Sequence, residues 1–209
     1  MSSQALAEFC SLYEVPPLDA ENRLITFKRC HDLIDEERHE VIDALEKFQA
    51  AEFDSDSWWA AAAHLAKELA DLKYVSYYAA HVLDLPILDD TPETGWDLTG
   101  KTTQYALDSL NALSRSVPGG IREDFRLFML QGDLTNLVFA VDAVAAEMGI
   151  PVHRVFEAVH RSNMDKRWED GEIHRRKDGK IKKPPGWVGP EAEIEQILRE
   201  SMTASPAMP

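Results

Sequence analysis
The chain has little cysteine, little positive charge, no long apolar run and no stretch that alternates as a half-buried strand would. Its two cysteines, Cys10 and Cys30, sit in helical patterns far from any Cys-x-x-Cys or Cys/His spacing, so both read as ordinary thiols and not as a disulfide framework or a zinc site. No segment approaches the roughly 20 apolar residues of a membrane span. The opening Met1-Ser2-Ser3-Gln4 lacks the charged and apolar regions of a signal peptide, so a cytoplasmic location without a membrane partner is expected. Twenty-two bases against 37 acids leave a formal charge of −15. Phosphate backbones bind through accumulated Lys and Arg, so no nucleic-acid partner is expected.

What remains is an amphipathic, helix-forming chain. Its 209 residues, 44% of them hydrophobic and five of them Trp, suffice for one real core and no more than two domains. Apolar residues recur every three or four positions through the first 165, which predicts an all-α fold. The expected helices are Gln4 to Tyr13, Asp19 to Ala50, Ser57 to Leu83, Lys101 to Ser114, Asp124 to Met148 with a break near Gly132, Pro151 to Trp168, and Pro190 to Glu200 before a disordered tail. Leu24, Phe27, Leu33, Ile34, Val41, Leu45 and Phe48 are the expected core positions of the second. Residues 1–168 would form the helical domain, with an inserted region at about 86–130 marked by its Pro and Gly content. Residues 169–209 would form a basic loop and last helix folding onto it. One gapless echo is visible: Leu65 to Ile87 aligns on Leu130 to Val152, placing Glu68 on Asp133, Asp71 on Asn136 and Pro86 on Pro151.

Charge is unevenly distributed. Glu36, Glu37 and Glu40 occupy an arc of roughly 100° on the second helix, and Glu68 and Asp71 lie about 60° apart on the third. Carboxylates converging from two rigid helices are how an all-helical protein binds a hard cation such as Mg²⁺. The same spacing also fits a solvated stripe on a surface helix. Two Glu-x-x-His pairs, Glu36/His39 and Glu157/His160, raise a di-iron alternative, although the order of lone glutamates is wrong for it. From Arg175 to Lys183 six bases face a single acid, Asp178, a concentration suited to a small anion or to a solvated tail.

The segments Asp35-Glu36-Glu37-Arg38-His39-Glu40 and Lys67-Glu68-Leu69-Ala70-Asp71 resemble the paired Glu-Glu-x-x-Glu and Glu-x-x-Asp motifs of the all-α nucleoside triphosphate pyrophosphohydrolases, the group of MazG, dimeric dUTPases and phosphoribosyl-ATP pyrophosphatase. Val155 to Lys166 is similar to that group's later helix with its Asn-x-x-Lys element. Arg175 to Lys180 with Pro184-Pro185-Gly186-Trp187 is similar to the tail of MazG-like dUTPases. The resemblance implies hydrolysis of a nucleoside triphosphate to monophosphate and diphosphate with two or three Mg²⁺ or Mn²⁺ ions. It makes Glu37, Glu40, Glu68 and Asp71 metal ligands and Glu36 a further ligand or the group that activates water. Asn163 and Lys166 would meet sugar and phosphate, while Arg175, Arg176, Lys180 and Lys182 would close over the triphosphate. Phe9, Tyr13 and Phe27 are candidates for the base pocket, and Trp187 for its flank. A substrate such as dUTP or dGTP and at least a homodimer are expected. Phosphoribosyl-ATP hydrolysis and a non-catalytic helical interaction protein are the alternatives.

Overall fold
The computed structural model describes residues 2–16, 18, 19, 21–87, 101–115, 121–177 and 179–204. Among them every regular element is helical: α1 (Ser2–Leu12), α2 (Arg23–Ala50), α3 (Asp56–Val82), α4 (Lys101–Ser114), α5 (Ile121–Glu147), α6 (Val152–Met164) and α7 (Glu191–Ala204). The expected all-α class is what the chain adopts.

The hairpin of α2 and α3 packs on the hairpin of α4 and α5, and α3 runs through the centre, touching α1, α2, α5, α6 and α7. Buried leucines at helical spacing explain its position: Leu65, Leu69 and Leu72 share one core with Ile34 of α2 and Leu130, Leu134 and Leu137 of α5. Ser55 caps α3, its hydroxyl accepting the N–H of Trp58 at 3.1 Å. By length and apolar composition Asp124–Glu147 of α5 is comparable to a membrane-crossing helix; here it packs against α3, α4 and α6.

Several boundaries differ from expectation, each for a local reason. α2 begins at Arg23 and not near Asp19, because the Asp19 carboxylate accepts the N–H groups of Glu21 and Asn22, both at 2.8 Å, in a turn that precedes the helix. Its buried stripe begins Arg23, Thr26/Phe27, Cys30 and Ile34, and Leu24, about 100° round the helix from Arg23, is 53% exposed instead of in the core. α5 runs unbroken through Gly132. α6 stops at Met164, four residues short of Trp168, with the N–H of Asp165 bonded to the carbonyl of Arg161 at 3.0 Å. Pro151 is its N-cap and not its first helical residue. α7 continues beyond Glu200 to Ala204; the rest of the expected disordered tail, and much of the expected insertion at 88–100 and 116–120, lie outside the described residues.

The sequence echo has a structural counterpart. α3 ends with Leu85 N–H bonded to Ala80 O and Asp84 at φ 54°, while α5 ends with Ile150 N–H bonded to Ala145 O and Gly149 at φ 67°. Both bonds are 2.8 Å, and a proline follows each stop. Where Glu68 stands in the first half, Asp133 stands in the second, accepting the Ser109 hydroxyl at 2.6 Å.

Candidate functional site
Antiparallel packing of α2 on α3 brings the two acidic motifs together. Glu37, Glu40 and Glu68 each offer a carboxylate oxygen within 4.8 Å of the others. Glu68 lies deepest, at 2% exposure. Its Oε1 accepts Lys67 Nζ at 2.9 Å and lies 3.2 Å from His64 Nδ1. Its Oε2 is buried without any hydrogen-bond partner among the described residues. Burial, and after it the surrounding carboxylates, hold the Glu37 carboxyl well above the usual glutamate range. Burial also raises Glu68, against the opposing pull of Lys67. A buried, unpartnered carboxylate oxygen within a mutually repelling acid trio is a costly arrangement that a cation relieves.

Asp71 stands beside this trio. Its Oδ2 accepts the same Lys67 ammonium at 2.8 Å. Burial works against the charge on Lys67, but Asp71 and Glu68 outweigh it and keep the amine protonated above the ordinary lysine range.

These acids open onto a cleft of about 910 Å³. Glu36, Glu37, Glu40 and Asp71 line it together with Lys166, Arg175, Arg176, Lys180 and Lys182, with Asn163 beside Lys166. Phe9, Tyr74 and Tyr78 add an aromatic wall. The basic segment is a short hairpin pinned by an antiparallel bridge between Arg175 and Ile181. The N–H of Arg176 reaches Lys180 O at 2.7 Å, and that of Lys182 reaches His174 O at 2.8 Å. Gly179, at φ +85°, makes the turn; a Cβ there would stand 2.9 Å from the Arg29 guanidinium. Asp178 lies outside the described residues.

Three contacts dock the hairpin. Arg175 donates to the Tyr13 carbonyl, and Lys180 donates to the Glu36 carboxylate on α2. Trp168 donates its indole N–H to Lys182 O at 3.2 Å while stacking on His174 at 4.1 Å. Lys166, at the end of α6, donates to Asn163 Oδ1 at 2.6 Å. Burial lowers its pKa to about 8, with Lys183 and Lys67 adding to the fall and Asp71 opposing it.

The structure thus gathers Glu36, Glu37, Glu40, Asp71, Asn163, Lys166, Arg175, Arg176, Lys180, Lys182 and Phe9 around one cleft, with Glu68 just beneath. Three aromatic candidates lie elsewhere. Tyr13, 1% exposed, is a latch whose hydroxyl donates to Asn163 O at 2.8 Å and Met164 O at 3.1 Å. Phe27 is buried in the core under the Arg23 guanidinium. Trp187 sits behind the basic groups, its indole N–H on Ser162 O and its ring under Lys183 at 4.1 Å. The di-iron pairs do not converge. His39 turns to the Asp35 carbonyl at 2.7 Å, whereas His160 lies against the Tyr74 ring. α7 packs on α3 and α6, and of the described residues in 169–209 only those from Arg175 to Lys183 line the cleft.

Sequence reasoning passed over His64, Lys67, Arg29, Tyr74 and Tyr78. The available signal was spacing: His64 precedes Glu68 by four residues and Lys67 precedes Asp71 by four, so both share the acid-bearing face of α3.

No protein-family model and no curated protein matches the chain. Among solved structures, a protein of Exiguobacterium sp. 255-15, provisionally described as an NTP pyrophosphohydrolase, is similar over 80% of this chain and 96% of its own, at 20% identity and a TM-score of 0.38. A likeness that distant carries no argument about chemistry, which rests here on the geometry of the cleft.

Proposed function
We propose that this chain is a metal-dependent nucleoside triphosphate pyrophosphohydrolase of the MazG- and dimeric-dUTPase-like kind, converting a (d)NTP and water to the (d)NMP and diphosphate. One observation carries the reading: a carboxylate trio with a buried, unpartnered oxygen gathers at a cleft that a basic hairpin also lines.

The donor set fits a hard divalent ion, because all three candidate ligands are carboxylates and Glu68 Oε2 is buried without a partner. Glu37, Glu40 and Glu68 would hold Mg²⁺ or Mn²⁺, which when bound polarises phosphoryl oxygens and lowers the pKa of the attacking water. The chain's own groups do the rest. Lys166, Arg175, Arg176 and Lys180 bind the triphosphate and counter the charge that develops toward the diphosphate leaving group. Glu36 faces the same cleft and accepts the water's proton once the triphosphate has drawn Lys180 away from it. Phe9, Tyr74 and Tyr78 supply the apolar wall for a base; a deoxynucleotide such as dUTP or dGTP is the expected occupant. Diphosphate release from a panel of NTPs and dNTPs, with Mg²⁺ or Mn²⁺, tests the reading: turnover of at least one triphosphate that disappears with EDTA is expected, and no turnover of any would overturn it.

A further inference from the structure
The acid set is divided into two unequal halves by a single side chain. Glu68 and Asp71 are neighbours one turn apart on α3, and like charges at that spacing repel unless a cation offsets them. In this chain a cation is already there. Lys67 lies 2.9 Å from Glu68 Oε1 and 2.8 Å from Asp71 Oδ2, with its side chain only 18% exposed. His64 approaches the same Oε1 at 3.2 Å. On the other side, the buried Glu68 Oε2 has no hydrogen-bond partner among the described residues, and it is Glu37, Glu40 and Glu68, without Asp71, whose oxygens converge within 4.8 Å.

We infer that Lys67 is a resident cation that takes the place of a second divalent ion, so that the site binds one ion per chain, at Glu37, Glu40 and Glu68. The inference rests on the metal reading proposed above and narrows it. An ammonium makes two hydrogen bonds of ordinary length to carboxylates that a Mg²⁺ ion would need at about 2.0–2.1 Å, so the two cannot share that pocket. A lysine tethered by its own helix also needs no recruitment from solution. It leaves Asp71 and Glu68 Oε1 neutralised.

Mn²⁺ titration of the full chain, with free ion read by electron paramagnetic resonance, tests this without reference to activity. The wild type should bind one Mn²⁺. Lys67→Met, which keeps the apolar stem and removes the charge, should bind two, and Lys67→Arg, which restores a cation, should bind one. Circular dichroism would normalise each count to folded chain. Two or more ions in the wild type would overturn the role of Lys67 while leaving the metal site standing. One ion in Lys67→Met, or two in Lys67→Arg, would overturn it equally. No ion in the wild type would bring down the metal reading itself.

Discussion

Lys180 of the basic hairpin donates to the carboxylate of Glu36 on α2, 144 positions earlier in the chain. This contact ties the basic hairpin to the acidic helix within the cleft and is one that a triphosphate would compete for. Lys180→Ala should therefore raise KM by about tenfold, the effect of losing one charge-assisted hydrogen bond, with a smaller change in kcat. Steady-state kinetics on the preferred triphosphate check it; an unchanged KM would remove Lys180 from substrate binding.

Lys166 should set an alkaline limb. Its pKa is lowered to about 8, so it is charged below that value and loses its proton as pH rises through it. Triphosphate binding needs the charge, so kcat/KM should fall above about pH 8 in the wild type. In Lys166→Arg, whose guanidinium stays protonated, the limb should move up by more than one pH unit. A limb that stays in place would assign it to another group.

The acid trio should make the metal-free protein less stable in alkali. Glu37 holds its proton more tightly in the folded chain than in an unfolded one, with its pKa raised from 4.5 to about 9. Across that window the folded state keeps a proton that the unfolded state has lost, and stability falls as pH rises. Thermal melts in EDTA should show Tm dropping between pH 5 and pH 9, a drop flattened in Glu37→Gln. Mn²⁺ should restore Tm at the alkaline end, since an ion that binds only the folded state stabilises it by mass action.

Tyr13 should matter to stability and not to substrate choice. Tyr13→Phe removes a buried hydroxyl that donates to Asn163 O and Met164 O, at a cost of about 1–2 kcal/mol. A lower Tm with base selectivity unchanged is the expected outcome. Altered discrimination between pyrimidine and purine triphosphates would place Tyr13 at the base after all.

The motifs were legible because helical spacing alone decides which side chains share a face. Glu36, Glu37 and Glu40, then Glu68 and Asp71, needed no tertiary information to be grouped, and neither did the limits of α4, found where Lys101 and Ser114 suggested. What spacing does not carry is where a helix starts. An Asx-type turn at Asp19 shifted the beginning of α2 to Arg23. Nor does propensity outvote packing: Gly132 reads as a break, yet α5 passes through it between buried Leu130 and Leu134. Phe9 and Tyr13 carry the same local signal, one turn apart, and only their tertiary neighbours put the first on the cleft and the second beneath it. Lys67 was missed because a lysine four residues before an aspartate on a helix is the commonest of surface pairs, and its burial against Glu68 depends on α2 lying alongside.

The most direct test joins the acid trio to the bond it is proposed to break. Following a turned-over triphosphate by ³¹P nuclear magnetic resonance with Mg²⁺, wild type beside Glu40→Gln, should show nucleoside monophosphate and diphosphate as the only products, and a rate in the variant reduced at least about 100-fold. Orthophosphate with nucleoside diphosphate as products, or a Glu40→Gln variant that keeps the full rate, would contradict the assignment of this cleft.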